Sequence, residues 1–434
     1  MNVEVSRAEA IFGTIEIPPD KSIAHRAAII ASITDGISRI VHYSDADDPQ
    51  STLACLRALG VSIEDDDGIL VVNGRGRNGL VVPTEPVNCG NSGTTMRLLA
   101  GVLAGQAFTS TLVGDESLSR RPMERIAVPL RLMNADVTLS SGCPPIVLEG
   151  GRLRSIHYPM PERSAQVKSC VLLAGLFAEG ETTIIESAPT RDHTERMLGL
   201  PVVDIGSRRH VSVTRDHSLV PQTWTIPRDF SAAAFFVVAA TLVPTSLLRL
   251  PGVGVNPSRS ALLDVLTAMG ASISVTDMRL RSGEPIADLQ VEPAQLGGVD
   301  VGGDLIPNLI DEIPVLAVAA TQAEGITTIR DAAELRVKET DRIAAIAQNL
   351  RLMGANVDEL PDGLRIHGPT PLHGAVVDAF GDHRIAMAMG VAALLAQGPS
   401  TILGGDAAAV SYLGYWSDLG SVTFANEPPV KTPS

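Results

Sequence analysis

The chain has 434 residues, a formal net charge of −15, 45% hydrophobic residues and only 3% aromatic residues. This length allows two or more globular domains, each with a core that must be built from aliphatic and small side chains. The acidic balance and the scarcity of aromatic rings argue against a nucleic-acid partner, because such proteins normally carry a basic surface and rings on which bases stack.

The cysteines and histidines show no pattern typical of a metal site or a disulfide framework, since the sequence contains neither CxxC nor HExxH. The N-terminal segment "MNVEVSRAEAIFGTIEIPPD" carries charges where a signal peptide needs an apolar run. The longest uncharged run, residues 230–248, contains Pro244 and many small residues. We therefore expect a cytoplasmic protein, and we interpret 230–248 as a buried helix, a turn and a strand.

Six copies of one pattern follow one another along the chain. Each copy begins with an Ala-rich helix, a Gly or Pro break and a β-branched strand, as in "AIIASITDGISRIV" and "VLAVAATQAEGITTI". A second helix then ends at Gly or Asn, residues that tolerate the left-handed conformation after a helix, and another strand follows. These second segments cover 56–63, 130–137, 196–203, 266–273, 350–357 and 416–423.

Units of this size are too long for a solenoid of short repeats, and they favour two similar globular lobes of three units each. We place the crossing between the lobes at residues 224–230, after the third copy. The strand spacing allows either parallel or mixed sheets. The N-terminal strand before Pro18 fits either lobe.

Polar residues crowd the start of each Ala-rich helix, in "DKSIAHR", "NSGTTMR", "RSAQVKS", "PRDFSA", "PNLIDEI" and "GDHRI". A helix N-terminus presents unpaired N–H groups and the positive end of the helix dipole, so it is a prepared anion site. The dipole opposes an arginine in the first turn, yet Arg26, Arg97 and Arg384 all lie near such a start. We interpret these three residues as converging on something anionic.

The simpler interpretation is that these positions are ordinary. Residue types that commonly cap helices stand at Asp20, Ser22, Asn91 and Asp382, and nearby cations can extend their charged ends to solvent. For any one helix start this interpretation is the better one. Only the recurrence of cations at several starts favours a shared site.

Two further basic clusters, "LSRRPMER" and "LRVKETDRI", lie outside these helix starts. The second predicts another helix start, with Lys338 and Arg342 one turn apart. The alternative is a solvated face in which Glu334 pairs with Lys338 and Glu339 pairs with Arg342.

Two acidic residues complete the set of candidates. Asp311 lies at the head of the fifth Ala-rich helix, where the dipole favours the charged carboxylate, and Glu339 lies between two cations. A carboxylate that stays charged can act as a base.

The motifs "DKSIAHR", "NSGTTMR", "RRP", "SAQVKS", "RDHTERML", "RVKETDRI" and "GDHRIAMA" occur in this order across nearly the whole chain. Together they resemble the enolpyruvylshikimate-phosphate synthase family. The resemblance implies an α/β fold with two similar lobes, each of three βαβαββ units with buried parallel helices (the inverse α/β barrel, or enolpyruvyl transferase fold). Residues 1–19 and 228–434 would form one lobe and residues 20–227 the inserted lobe.

The resemblance also implies an activity. The enolpyruvyl group of phosphoenolpyruvate would be transferred to a hydroxyl of shikimate 3-phosphate through a tetrahedral adduct, with release of phosphate, in aromatic amino acid biosynthesis. Both substrates carry a phosphate and a carboxylate, which accounts for cations at the helix starts. No metal, no redox cofactor, no nucleic acid and no membrane would be involved, and the protein would be a cytoplasmic monomer.

By position, the resemblance implies a role for each matched residue. Asp311 would accept the proton of the attacking hydroxyl, and Glu339 would protonate the enol methylene and later remove a proton. Lys21 would contact both substrates. Shikimate 3-phosphate would be bound by Lys21, Ser22, Arg26, Ser164, Ala165, Gln166, Thr190, Asp311 and Lys338. Phosphoenolpyruvate would be bound by Lys21, Asn91, Gly93, Arg121, Gln166, Arg342, His383 and Arg384.

Several positions depart from the pattern of the family. Ala165 replaces a common serine, which removes a hydrogen bond to phosphate worth about 1.5–3 kcal/mol. Thr190 keeps the hydroxyl of a common serine. Near the C-terminus, Val410 stands where some members carry a phosphate-binding lysine, and Leu413 replaces a proline. Gly93, where alanine would be larger, predicts room for the inhibitor glyphosate.

Three alternatives compete with this resemblance. The UDP-N-acetylglucosamine enolpyruvyl transferases usually have asparagine after the first lysine and a reactive cysteine in the "GDESLSRRP" loop, whereas this chain has Ser22 and no cysteine there. The RNA 3′-phosphate cyclases need ATP binding, for which no P-loop is present. A non-enzymatic scaffold would require the polar groups at the helix starts to face solvent separately.

Overall fold

The computed structural model describes residues 1–161 and 163–425, which fall into two compact units. The terminal unit comprises Met1–Pro18, Arg228–Arg279 and Pro285–Ser434, of which 426–434 lie outside the described residues. The inserted unit comprises Pro19–Pro227 and Leu280–Glu284. Compared with the lobes expected from the sequence, Pro19 and the segment 280–284 are grouped differently. The N-terminal strand belongs to the terminal unit.

The Ala-rich segments fold as helices, as predicted, because alanine is the best helix former. Within residues 1–161 and 163–425, the helices α1–α13 are Lys21–Ser32, Asp47–Ala58, Gly93–Ala104, Glu124–Leu132, Ala165–Gly175, His193–Leu198, Phe230–Leu242, Ala261–Met269, Ile306–Leu309, Ile313–Gln322, Arg342–Leu352, His383–Leu395 and Tyr415–Val422. Short 3₁₀ turns occupy Leu118–Arg120, Gly303–Leu305, Ala333–Val337 and Gly405–Val410.

Strands follow the helices in each copy of the pattern. In the described part of the chain, strands β1–β24 are Val3–Val5, Ala10–Thr14, Asp35–Val41, Ser62–Asp66, Ile69–Arg75, Val87–Asn88, Thr109–Val113, Asp136–Ser140, Cys143–Glu149, His157–Pro159, Glu181–Glu186, Val202–Ile205, Arg208–Thr214, Thr223–Thr225, Leu247–Gly254, Ser272–Arg281, Glu284–Glu292, Asp300–Val301, Gly325–Ile329, Asn356–Leu360, Gly363–Gly368, Val376–Asp378, Ser400–Leu403 and Thr423–Phe424.

The sheets are small and mixed, which answers the question that the sequence left open. The inserted unit has the strand orders β14-β3-β5-β4, β6-β7-β9-β8 and β10-β11-β13-β12, each with a parallel first pair followed by antiparallel pairs. The terminal unit has the orders β18-β19-β21-β20, β16-β17-β15-β2-β24 and β1-β23-β22. A helix can connect parallel neighbours, as α3 connects β6 to β7, and a hairpin connects antiparallel ones.

Each unit has its own hydrophobic core, with the Ala-rich helices at its centre. Helix α3 contacts α1 and α5 in the inserted unit, and α7, α10 and α12 contact one another in the terminal unit. At Gly101 a Cβ atom would lie 2.2 Å from the carbonyl oxygen of Cys170, so only glycine lets α3 and α5 approach this closely. Small residues thus explain how the core packs with few aromatic rings.

The left-handed ends predicted for the second helices are confirmed in five copies, at Gly60, Asn134, Gly199, Gly270 and Gly354. The prediction is wrong in the sixth copy, because α13 runs through Gly420 and the chain passes directly into β24. The run 230–248 forms α7, a turn and the first residues of β15, as predicted. Among the described residues, no helix is both long enough and apolar enough to cross a membrane.

Candidate active site

Side-chain caps fix where the central helices of the inserted unit begin. The residues before α1, α3 and α5 are Asp20, Ser92 and Ser164, and each side-chain oxygen accepts a hydrogen bond from a backbone N–H in the first turn. The predicted cap Asp20 is confirmed. For α3, the predicted cap Asn91 is wrong by one residue, and Ser22 lies inside α1 rather than at its cap.

Gln166 joins the starts of α3 and α5. Its Oε1 accepts a hydrogen bond from Nη1 of Arg97 at 2.6 Å, and its Nε2 donates to Oγ1 of Thr94 at 2.9 Å. The amide therefore holds the guanidinium group of Arg97 at this end of the helices. The sequence placed Thr94 and Arg97 at a helix start but assigned neither of them to a substrate.

Two guanidinium groups border the backbone at Gly93. Arg121 donates from Nη2 to Oδ1 of Asn91 at 2.6 Å, and Nδ2 of Asn91 donates to Asp115 at 2.6 Å. A Cβ atom at Gly93 would lie 2.9 Å from Nη1 of Arg97 and 3.4 Å from Nη1 of Arg121. This place suits a phosphate or carboxylate, because Gly93 leaves the backbone at the start of α3 accessible and two guanidinium groups lie beside it.

Arg26 is buried one turn into α1 and makes hydrogen bonds only to neutral oxygen atoms among the described residues. Its Nη1 donates to the carbonyl of Ser22, its Nε to Oγ1 of Thr194 and its Nη2 to Oγ of Ser169, each at 2.8 Å. Burial lowers the pKa of Arg26 to about 10, against the opposing charge of Glu195. The group therefore remains charged near pH 7.

Lys21 stands at the leading edge of the same helix. Its ammonium group forms an ion pair with Asp48, with 2.9 Å between Nζ and Oδ2, and both side chains are largely buried. The carboxylate fixes the direction of this flexible lysine. Asp48 lies in the first turn of α2, a position that the sequence did not single out.

A buried chain of hydrogen bonds ties the starts of α1, α2 and α3 together. Nδ1 of His25 lies 2.6 Å from Oγ1 of Thr52, which lies 2.6 Å from Oγ1 of Thr95, and Thr95 in turn donates to Oγ of Ser92 at 2.7 Å. Burial, assisted by the neighbouring cations of α1, lowers the pKa of His25 well below its usual value. A neutral imidazole thus supports the helix starts.

Lys168 does not add to the cations at the start of α5. Its ammonium group is fully buried, pairs with Glu195 at 2.6 Å and with Glu186 at 3.1 Å, and donates to the carbonyl of Thr190 at 3.3 Å. The backbone N–H and the hydroxyl of Thr190 both donate to Oε1 of Glu186, at 3.1 and 2.6 Å. The hydroxyl predicted to bind substrate is therefore engaged within the protein.

Arg342 is the centre of the site in the terminal unit. It is 1% exposed at the start of α11. Its Nε lies 2.7 Å from Asp382, its Nη2 2.7 Å from Glu339 and its Nη1 3.3 Å from Asp311. Burial alone would lower the pKa of Arg342, but the three carboxylates raise it above its ordinary value, so the guanidinium group stays charged.

Asp311 lies in the turn before α10 and faces two guanidinium groups. Its Oδ1 is 3.3 Å from Nη1 of Arg342, and its Oδ2 is 3.6 Å from Nη1 of Arg259. The side chains of Asp311 and Glu339 remain 19% and 17% exposed, whereas both arginine side chains are 2% exposed. The two carboxylates are thus the accessible members of a network whose cations are buried.

Arg259 is a site residue that the sequence did not reveal. Its Nη2 lies 3.3 Å from Asp229, which caps α7, and its Nη1 lies 3.9 Å from Glu312 at the start of α10. Glu312 also accepts a hydrogen bond from the hydroxyl of Ser231. Arg259 therefore joins the starts of two central helices and approaches Asp311 from the side opposite Arg342.

Arg384 lies in the first turn of α12, next to the buried His383. Its Nη1 donates to the carbonyl of Ser231 at 3.1 Å, and its guanidinium carbon is 6.0 Å from the ring centroid of Phe235. Its Nε has no hydrogen-bond partner among residues 1–161 and 163–425. Asp382 caps α12 as predicted, accepting from the N–H of Arg384 at 2.8 Å.

The segment around Lys338 folds differently from the prediction. The sequence predicted a helix start that includes Lys338, but a 3₁₀ turn ends at Val337 and α11 begins only at Arg342. The reason is Asp341, whose side chain caps α11. The alternative pairs do form, with Lys338 3.6 Å from Glu334, but the burial of Arg342 rules out a solvated face.

The C-terminal segment carries the two residues that depart from the family pattern. Val410 ends a 3₁₀ turn, and Leu413 is 69% exposed. On either side of Leu413, the rings of Tyr412 and Tyr415 pack against Phe236, with centroids 6.0 and 5.7 Å away. Aromatic contacts, rather than a proline, hold this segment in place.

The predicted site residues of each unit gather at one set of helix starts or in the loops beside them. In the inserted unit these are Lys21, Ser22, Arg26, Asn91, Gly93, Arg121, Ser164, Ala165, Gln166 and Thr190. In the terminal unit they are Asp311, Lys338, Glu339, Arg342, His383 and Arg384. Arg97 was detectable, because it lies one turn into α3 as Arg26 does in α1. Arg259 gave no such signal.

Comparison with known proteins identifies the family. The profile of the EPSP synthase (3-phosphoshikimate 1-carboxyvinyltransferase) family matches residues 5–419. The chain belongs to the EPSP synthase family. It is 56% identical to a 3-phosphoshikimate 1-carboxyvinyltransferase from Salinibacter ruber, over 96% of this chain and 99% of that protein.

Solved structures agree with this membership. An EPSP synthase from Acinetobacter baumannii superposes with a TM-score of 0.85 at 41% identity, covering 97% of this chain and 98% of the other. The enolpyruvyl transferase NikO from Streptomyces tendae, at 20% identity, shares the fold with a TM-score of 0.77 over 96% of each chain. The predicted family and the enolpyruvyl transferase fold are confirmed. So is the activity, that of a transferase of the shikimate pathway.

Proposed function

We propose that the two groups of helix starts have different tasks in the transfer of the enolpyruvyl group from phosphoenolpyruvate to shikimate 3-phosphate. The inserted unit binds most of the anionic groups of the substrates, and the terminal unit moves the protons while Arg342 also contacts phosphoenolpyruvate. The observation that carries this proposal is the choice of partners around the arginines. Arg26 donates hydrogen bonds to three neutral oxygen atoms, whereas Arg342 is held by three carboxylates.

In the inserted unit, Arg26 donates to neutral oxygen atoms and so keeps most of its charge for a ligand. A phosphate can replace a hydroxyl or amide oxygen on a guanidinium group at little cost, because it brings the opposite charge and can accept two parallel hydrogen bonds from the fork. We assign the phosphate of shikimate 3-phosphate to the surroundings of Arg26 and Ser164. Phosphoenolpyruvate is assigned to Gly93 and Arg121, where the bare backbone leaves room for it.

In the terminal unit, Asp311 is the proposed base for the attacking hydroxyl. It is partly exposed, and Arg259 and Arg342 hold it from two sides. A positioned base of this kind contributes about 10²–10⁴-fold to the rate. The same cations remain in place as charge moves in the transition state, which is the basis of electrostatic preorganisation.

Glu339 is the proposed donor of the proton to the enol methylene, and later the acceptor of a proton when phosphate leaves. In the free protein it contacts Nη2 of Arg342 at 2.7 Å. Phosphoenolpyruvate bound to Arg342 would compete with this carboxylate for the guanidinium group. Substrate binding would then release Glu339 to take up and deliver a proton.

The acceptor specificity can be tested by phosphate release from phosphoenolpyruvate with shikimate 3-phosphate, with UDP-N-acetylglucosamine, or without an acceptor. We expect release only with shikimate 3-phosphate, because the family to which the chain belongs consists of 3-phosphoshikimate 1-carboxyvinyltransferases. Activity with the sugar nucleotide alone would contradict the assignment.

Three further properties complete the proposal. The protein acts in the cytoplasm as a monomer, without a metal or redox cofactor. It is inhibited by glyphosate, because Gly93 leaves space beside the phosphoenolpyruvate site where a side chain would intrude. An unchanged rate at high glyphosate concentration would contradict the last point.

A further inference from the structure

A buried ionic cluster lies behind the proposed shikimate 3-phosphate site. It consists of Lys168 on α5, Glu186 at the end of β11 and Glu195 on α6, which are 0%, 1% and 4% exposed. The ammonium group lies between the two carboxylates and also donates to the carbonyl of Thr190. Burying three charges is costly unless they pair closely, so the cluster imposes a defined geometry on the elements that carry it.

The cluster is directly adjacent to the groups that hold Arg26. Lys168 and Ser169 are consecutive on α5, and Thr194 and Glu195 are consecutive on α6. One residue of each pair forms the ion pair, and the other forms a hydroxyl pair with 2.7 Å between Oγ of Ser169 and Oγ1 of Thr194. Arg26 donates to both hydroxyls. The Lys168–Glu195 ion pair and the two hydroxyl groups that hold Arg26 therefore come from the same turn of α5 and the same turn of α6.

Glu195 also acts on Arg26 through its charge. Among the nearby acids, Glu195 makes the largest contribution that favours the charged form of the Arg26 guanidinium group. Its Oε1 is engaged by Lys168, and its Oε2 has no hydrogen-bond partner among the described residues. Burial raises the pKa of Glu195, and Lys168 opposes that shift. Without Lys168, this carboxylate would lose its ion-pair partner while still acting on the charge of Arg26.

We propose that Lys168 is a positioning residue for shikimate 3-phosphate, because it holds Glu195 away from Arg26 and fixes the loop of Thr190. The inference rests on the proposed assignment of Arg26 to that substrate. In this arrangement Lys168 touches no substrate. It keeps a neighbouring carboxylate occupied, so that the guanidinium group of Arg26 faces the substrate phosphate with neutral partners only.

The test is Lys168→Met, with KM measured separately for the two substrates. We expect KM for shikimate 3-phosphate to rise roughly tenfold or more, as for the loss of a charge-assisted hydrogen bond, and KM for phosphoenolpyruvate to change less than twofold. Unchanged KM values for both substrates would overturn the proposal. Equal increases for both, as a general loss of structure would give, would overturn it as well.

A second variant guards against simple misfolding. Lys168→Met with Glu195→Gln removes one cation and one anion together, so it leaves less uncompensated charge buried. We expect this double variant to recover at least about threefold of the increased KM for shikimate 3-phosphate, because no carboxylate then competes for Arg26. No recovery in a folded double variant would overturn the proposal.

Two further variants complete the design. Thr183→Val, on the same strand as Glu186, removes a buried hydroxyl that lies 2.9 Å from that of Ser212 and should leave both KM values unchanged. Arg26→Ala tests the underlying assignment by itself. If Arg26→Ala leaves KM for shikimate 3-phosphate unchanged, the proposed role of Arg26 fails, whatever Lys168→Met shows.

Discussion

The two units build their helix starts in the same way and fill them with opposite chemistry. In the inserted unit, the buried Arg26 donates hydrogen bonds to a carbonyl oxygen and two hydroxyl oxygens, and the nearby Glu195 is engaged by Lys168. In the terminal unit, carboxylates contact the arginines directly and remain partly exposed at Asp311 and Glu339. The positive end of a helix can therefore serve anion binding or proton transfer, depending on whether neutral oxygens or carboxylates contact the arginine there.

The substitution with the greatest predicted effect removes the proposed base of the terminal unit, Asp311. Asp311→Asn keeps the shape of the side chain but removes its capacity to accept a proton, so we expect kcat to fall by about 10²–10⁴ with little change in either KM. Phosphate release under saturating substrates measures it. The control is Asp358→Asn, an exposed residue 3.2 Å from His367 on the same unit. A kcat within threefold of the parent protein would remove Asp311 from the mechanism.

A smaller effect is expected on the binding side. Arg26→Lys keeps the charge but loses the fork that reaches Ser22, Thr194 and Ser169, so KM for shikimate 3-phosphate should rise by about 10-fold to 150-fold, corresponding to about 1.5–3 kcal/mol. kcat should change much less. Arg39→Lys, an exposed residue beside Asp66, serves as the control. A change confined to kcat would reverse the division of labour between the units.

The mildest of the three substitutions adds one methyl group at Gly93, beside the proposed phosphoenolpyruvate site. Gly93→Ala places a methyl group 2.9 Å from Nη1 of Arg97, so the end of that side chain must shift. KM for phosphoenolpyruvate should rise by a factor of about 2–10, since a displaced contact costs about 0.5–1.5 kcal/mol. Inhibition by glyphosate should weaken more than substrate binding does. Equal sensitivity of both proteins to glyphosate would show that nothing binds beside Gly93.

Much of the fold followed from the sequence because local rules and tertiary structure agree in this chain. Alanine-rich helices and left-handed glycines mark each repeat whatever its neighbours are. Where neighbours decide, the predictions stayed open or failed. Strands β14 and β3 pair with each other although they lie near opposite ends of the sequence of the inserted unit, so their pairing depends on long-range contacts. The sequence predicted a helix start that includes Lys338, but α11 begins after Asp341, whose side chain accepts a hydrogen bond from the first turn.

The site followed the same division. Residues in recurring positions, such as Arg26 and Arg384, could be recognised because each stands at the start of an Ala-rich helix. Arg259 could not, since it precedes α8, a helix of the other kind, and only the packing of the chain brings it to Asp311. Nor could the sequence show that Lys168, two residues after Gln166, pairs with two glutamates distant in the chain and is buried.

Gly101 sets the distance between helices α3 and α5, which the side chains at the helix starts do not control. It lies eight residues along α3, about 12 Å from the first turn, where the backbones of α3 and α5 touch. A bulkier residue there would act as a wedge and splay the two helices apart, widening the gap that Gln166 spans between them. The width of the proposed anion site therefore depends on the absence of a Cβ atom at Gly101, far from the site itself.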